Sequence, residues 1–107
     1  MSAYFHLKPS GSQWMFNLKA GSGEIVLTSE RYVSKQGAQD GIASVKTNAP
    51  LDARYVRKNN SAGSPYFVLT AANGFTIGTS EAYSSGSARE QGIEVVKKIA
   101  PTAPTKE

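Results

Sequence analysis

The chain has no cysteine, which removes disulfides, thiolate metal sites and cysteine nucleophiles from consideration together. It has a single histidine, His6, and one imidazole without a thiolate partner falls short of the three or four ligands a zinc site gathers. Long apolar runs are missing as well: no stretch approaches the ~20 residues that a spanning helix needs, so no membrane association is expected. The opening Met1-Ser2-Ala3-Tyr4 lacks a basic region followed by an apolar one, so no secretory signal is read there and the cytoplasm is the default location. Glycines fall among turns, not in a phosphate-cradling loop ahead of a helix. There is also no Asp-rich loop of EF-hand type. No cofactor and no metal is expected.

Of the 107 residues, 39% are hydrophobic and 19% charged, the balance of an ordinary globular protein and not of a disordered chain. Twelve Lys and Arg against eight Asp and Glu leave a net charge of +4. That permits a polyanionic partner without requiring one.

The strongest signal is internal. Residues 14–50 return without gaps, at a constant offset of 51, as residues 65–101. Phe16 meets Phe67, Leu18 meets Leu69, Thr28-Ser29-Glu30 meets Thr79-Ser80-Glu81, Tyr32 meets Tyr83, Gly41-Ile42 meets Gly92-Ile93, and Val45-Lys46 meets Val96-Lys97. A unit of ~50 residues buries too little surface to be secure alone, so the copies are expected to share one core. The expectation is a single domain over 1–101, built from repeats 4–50 and 55–101, with a flexible tail at 102–107. Duplication then completes within one chain what a single copy completes by dimerising, so a monomer is expected. Two related copies also raise the prospect of paired sites for a symmetric partner.

Each copy reads as three strands and a helix. Tyr4 to Lys8, Gln13 to Lys19 and Glu24 to Thr28 alternate or carry β-branched residues, with turn residues between them. From Ser34 the period changes: Ala38, Gly41, Ile42 and Val45 stand at i, i+3, i+4 and i+7, gathering apolar groups on one helical face. The spacing predicts a helix from 35 to 47, capped by Ser34 and closed at Asn48-Ala49-Pro50. The second copy predicts strands at Arg54 to Lys58, Pro65 to Ala71 and Phe75 to Thr79, then a helix from Ser87 to Ile99. Ser87 with Glu90 reads as a capping box, in competition with Ser85, the duplicate of Ser34. Asn73-Gly74 predicts a type I′ turn. Gly41 and Gly92, each costing about 1 kcal/mol against alanine in mid-helix, predict that the helix backbone lies close against the sheet or the other helix. The fold class that follows is α+β, two tandem β-β-β-α repeats sharing an antiparallel sheet with both helices on one face.

Trp14-x-Phe16-x-Leu18-Lys19-Ala20, Ile25-Val26-Leu27-Thr28-Ser29-Glu30-x-Tyr32 and Gly41-Ile42-x-Ser44-Val45-Lys46-x-Asn48-Ala49, together with their second-copy partners, resemble the YegP-like family. Its members are small bacterial proteins of unknown function built from one or two such units. The resemblance spans nearly the whole chain and implies strand-rich repeats related by a pseudo-two-fold axis. It brings no accepted activity and no catalytic residues. Gly21-Ser22-Gly23 departs from the Asn-Gly frequent at that turn in the family, and within this chain Gly78 stands where the first copy has Leu27.

Two constellations bear on function. Ser29-Glu30-x-Tyr32 and Ser80-Glu81-x-Tyr83 place a hydroxyl, a carboxylate and a phenol side by side, as a nucleophile and base would be. Serine catalysis, however, normally needs a base such as histidine, and His6 lies far from both segments. The reading preferred here is that Ser and Glu organise the strand-to-helix turn while Tyr packs inward, and no catalytic residue is assigned. The second constellation is a face of the sheet. With Phe5, Trp14, Phe16, Leu18, Val56, Phe67 and Leu69 inward, alternation turns Tyr4, His6, Lys8, Asn17, Lys19, Tyr55, Arg57 and Tyr66 outward. Tyr4, Lys8, Lys19, Tyr55, Arg57 and Tyr66 are therefore the candidate nucleic-acid contacts of an aromatic and basic platform. The plainer account is a solvated face held by cross-strand pairs. A non-enzymatic binding or accessory module, its partner a nucleic acid or another protein, is the functional expectation.

Overall fold

Each repeat has one apolar side to hide, and the two hide it together. The computed structural model describes residues 2–107. The first copy forms β1 (Tyr4–Ser10), β2 (Gln13–Lys19), β3 (Ile25–Ser29) and α1 (Lys35–Asn48). The second forms β4 (Tyr55–Asn59), β5 (Pro65–Thr70), β6 (Thr76–Thr79) and α2 (Gly86–Ile99), and a two-residue strand, β7 (Thr105–Lys106), follows. One sheet runs in the order β4-β5-β6-β3-β2-β1-β7. All its pairings are antiparallel except that of β7 with β1. Both helices cover one face, and Phe5, Phe16, Leu18, Phe67, Leu69, Ile42, Val45, Ile93 and Val96 form a single buried cluster between the layers.

No strand is exchanged between the copies. They meet where β3 pairs with β6, and Thr28 there faces Thr79, its own counterpart in the repeat. The pseudo-two-fold axis therefore passes through that pair. Close to the axis the symmetry has to break. Leu27 is fully buried, and a Cβ added to Gly78 would stand 2.7 Å from the Leu27 Cγ. Only one of the two equivalent positions has room for a leucine.

Ser34 caps α1 as its sequence predicts, accepting from Gly37 N (3.0 Å). Ser85, the duplicate of Ser34, caps α2 by accepting from Ala88 N (3.0 Å). The Ser87–Glu90 capping box does not form, because with Ser85 at the cap Ser87 falls inside the helix, and Glu90 instead meets Arg57 (2.8 Å). The mid-helix glycines do mark close approaches, but to an aromatic ring from the strand-to-helix loop. A Cβ on Gly41 would overlap the Tyr32 hydroxyl and lie 2.7 Å from its Cζ, and Gly92 stands in the same relation to Tyr83. Each tyrosine is stacked on the phenylalanine of its own copy, Tyr32 on Phe16 (6.3 Å) and Tyr83 on Phe67 (6.2 Å).

The turn at Asn73-Gly74 is not type I′, which needs two consecutive residues at positive φ. Gly74 alone is positive (86°), and its N–H donates to Ala71 O (2.9 Å) to close a four-residue turn. Asn73 contributes its side chain instead, accepting from Phe75 N (3.0 Å).

A larger correction concerns β4. Leu18 and Leu69 are 51 residues apart, but their cross-strand partners Phe5 and Tyr55 are only 50 apart. The connection between paired Asn59 and Pro65 is one residue longer than that between Pro9 and Trp14. A one-residue slip exchanges the two faces of a strand. Tyr55 and Arg57 therefore lie on the helix side, whereas Val56, expected in the core, is 40% exposed on the other.

Residues 102–107, expected as a flexible tail, lie along the edge of β1. Ala103 is buried, Phe5 N–H donates to Pro104 O (2.8 Å), and Lys106 takes a place beside His6. The segment after α2 is equivalent to the one that leads from α1 into β4. Since β1 already holds the corresponding position, β7 adds outside it and runs in the same direction.

Candidate nucleic-acid interface on the open sheet face

Register decides which side chains leave the sheet away from the helices. β1 contributes Tyr4, His6 and Lys8, and β2 contributes Met15, Asn17 and Lys19. The centre is lined by Thr28 and Thr79, and the far side carries Val68, Tyr66, Val56 and Lys58. Lys106 of β7 joins the β1 end. No Asp or Glu occupies any of these positions. The eight carboxylates sit in turns, on helices or at residue 107.

Four of the six sequence-predicted contacts, Tyr4, Lys8, Lys19 and Tyr66, are placed on this face, and Tyr55 and Arg57 are not. Tyr55 is buried, with its hydroxyl donating to Ala49 O (2.7 Å) and its ring edge-on to Phe67. Burial raises the Tyr55 pKa above the ordinary phenol range, with Glu94 and Asp52 adding to the effect. Arg57 is bound to Glu90 (2.8 Å) and Asp52 (3.2 Å), and its hydrogen bond to Glu90 raises its pKa further. It is engaged in an ion-pair network with Lys97, which also reaches Asp52 (2.8 Å).

By contrast, none of Lys8, Lys19, Lys58 or Lys106 forms an ion pair among the described residues. Two of them converge on one ring: Lys106 Nζ lies 4.8 Å and Lys19 Nζ 5.8 Å from the Tyr4 centroid. His6 lies next to Tyr4, ring to ring at 6.4 Å. Its pKa is lowered, first by burial and then by repulsion from Lys19 and Lys8. Beneath the lysines, His6 Nδ1 and Asn17 Oδ1 are buried without a protein partner, while Asn17 Nδ2 donates to Thr28 Oγ1 (3.1 Å).

Sequence reasoning missed Lys58 through the slip in β4, and Lys106 because the tail was read as free. The only sequence signal for Lys106 was the recurrence of Ala49-Pro50 as Ala100-Pro101, which places the segment after each helix inside the repeated unit.

The Ser-Glu-x-Tyr segments are built into the backbone. Ser29 Oγ accepts from Phe16 N (2.9 Å) and donates to Glu30 O (2.7 Å), and Ser80 does the same with Phe67 N and Glu81 O (2.9 Å each). It is the glutamate carbonyls, not the carboxylates, that join these turns. Among the described residues, no three His, Asp or Glu side chains gather as metal ligands would, and no helix is long and apolar enough to cross a membrane.

Elsewhere, a groove of about 530 Å³ runs from Tyr32 and Arg31 to Phe75 and Thr76 on the β5–β6 turn. Phe75 is 77% exposed there. A second cleft, lined by Tyr32, Gly41 and Phe75, has its counterpart in the other half at Tyr83, Gly92 and Glu24, where Glu24 occupies the position equivalent to Phe75. The two copies therefore present chemically different surfaces.

Comparison with known proteins places these features in a wider set. The family described as a domain of unknown function, DUF1508, matches residues 10–55 and again 60–107. A UPF0339 protein of Bordetella pertussis is 64% identical over 107 residues, covering all of this chain and 96% of that one. The UPF0339 protein YegP of Escherichia coli K12 is 50% identical over 98 residues, 91% of this chain and 89% of its own. Among solved structures, the solution NMR structure of a UPF0339 protein from Shewanella oneidensis superposes with a TM-score of 0.91 at 48% identity, over 99% of this chain and 91% of that one. The solution NMR structure of Escherichia coli yegP superposes with the same TM-score, 0.91, at 47% identity over 99% and 92%.

Proposed function

The chain belongs to the bacterial UPF0339 family of YegP-like proteins, and from that premise we propose that it is a non-enzymatic binding module of the cytoplasm whose open sheet face takes single-stranded nucleic acid. One observation carries the reading: the face gathers Lys8, Lys19, Lys58 and Lys106, none ion-paired, on a surface without a single carboxylate. Of the eight cations not on this face, Arg57, Arg89, Lys97 and Lys35 each meet an acid and Arg31, Lys46, Arg54 and Lys98 do not among the described residues, so it is the lack of carboxylates that sets the face apart. Unpaired lysines beside Tyr4 and Tyr66 suit a flexible strand, whose phosphates meet ammonium groups while its bases stack on rings at about 1–3 kcal/mol each. A broad sheet face suits splayed bases better than duplex grooves.

The test is fluorescence anisotropy of a labelled mixed-sequence oligoribonucleotide of about 12 residues, titrated at about 20 and 150 mM KCl. Affinity is expected to fall with salt along a log–log slope of about −0.7 per phosphate neutralised, or about −3 for the four lysines. Lys8→Glu with Lys19→Glu should weaken binding at least tenfold. Absence of binding at low salt, or indifference to this double variant, refutes the reading. Capture from native lysate with and without nuclease then separates a nucleic-acid partner from a protein seated at the exposed Phe75.

A further inference from the structure

We infer that β7 is a working part of this face, fastened to β1 when a phosphodiester bridges Lys106 and Lys19 across the Tyr4 ring. The inference rests on the nucleic-acid reading of the face and deepens it by naming the subsite and the segment that responds.

Three observations carry it. First, β7 has only two residues, both exposed, pairs with Phe5 and His6 alone, and is led in by the bond from Phe5 N–H to Pro104 O (2.8 Å). So short a pairing, with its backbone bonds open to water, belongs to the least stable parts of a fold. Second, this weakly held strand brings a second ammonium group to a ring that already has one. Lys19 approaches Tyr4 from β2 on one side and Lys106 from β7 on the other. With no acid on the face, the two cations repel each other. A bound phosphate reverses the sign of that interaction and draws β7 toward β2 across β1. Third, the neighbouring carboxylate is led away from the subsite: Glu107 pairs with Lys35 of α1 (2.8 Å), at the edge of the helix layer.

A ligand that binds better when β7 is docked must, by linkage, stabilise the docked form by the same factor. Binding and strand docking are therefore two readings of one equilibrium.

The experiment uses the full chain and the same labelled oligoribonucleotide. Lys106→Gln removes the charge and leaves a polar side chain one methylene shorter, and Lys46→Gln, on α1 at the opposite side of the sheet, serves as control. Lys106→Gln should lose about three- to tenfold in affinity at low salt, and its salt slope should fall by about 0.7, one phosphate contact. Lys46→Gln should change neither. Amide hydrogen exchange at Phe5, whose N–H is bonded to Pro104 O, should slow severalfold on saturation with the oligoribonucleotide, and Lys106→Gln should abolish the slowing. Wild-type binding with Lys106→Gln unaltered and Phe5 exchange unmoved overturns this inference and leaves the face as a binding surface. No binding by the wild type overturns the reading of the face and this inference with it.

Discussion

Tyr32 and Gly41 are a matched pair, and so are Tyr83 and Gly92. The phenol ring lies so close to the helix that no Cβ fits beneath it, so the glycine's intrinsic cost in mid-helix is offset by ring packing. Gly41→Ala should destabilise by about 1–3 kcal/mol, the usual cost of overpacking, measured by urea denaturation. Combining it with Tyr32→Ala should cost less than the sum of the two, since the clash is then gone. His6 supports a pH prediction. Its folded pKa lies below the unfolded value, so the unfolded state takes up a proton first on acidification. Stability should then fall as pH drops through the ordinary histidine range near 6.5, and His6→Gln should flatten that part of the profile. At this scale the sequence was legible in kind. Two glycines inside helices announced a close approach, but not that the approaching group is a tyrosine from the preceding loop, because a ring's direction depends on tertiary packing.

Elements show where a repeat is an imperfect guide. The constant offset holds over 14–50 and 65–101, and carrying it back into the first strand misplaced Tyr55, Val56 and Arg57. One extra residue in the β4–β5 connection shifts the register, and register is invisible to a periodicity that looks the same on either face. Aligning aromatic Tyr55 with Phe5 was the available clue. The β3–β6 junction supplies another prediction. Gly78→Leu drives two leucines into one space near the axis and should lower the melting temperature sharply, by the equivalent of about 2–4 kcal/mol. The exchanged variant, Leu27→Gly with Gly78→Leu, places one leucine on the other side of the axis and should recover most of that loss. No recovery in calorimetry counts against the pseudo-two-fold account of Gly78.

For the whole molecule, duplication merges two cores that neither copy completes. α1 packs on β1 and β2 but also reaches β5 and β6 of the other copy, and α2 reaches β3. A fragment of residues 1–51 should therefore lack a cooperative thermal transition as a monomer, or sediment as a dimer, by circular dichroism and analytical ultracentrifugation. A folded monomeric half contradicts the shared core. The same merger leaves the uncovered side of the sheet without a carboxylate, whereas Arg57, Arg89 and Lys97 on the helix side find acids within reach.

The sequence by itself determined the repeat, the order of strands and helices, the Ser34 cap and most of the buried residues, because each depends on local periodicity and on residue chemistry at fixed spacing. Only the tertiary structure decided that Tyr55 and Arg57 face inward, that Leu27 excludes a leucine at Gly78, and that β7 brings Lys106 to Tyr4. These depend on which strand lies beside which and in what register, a relation between distant segments that no local pattern encodes.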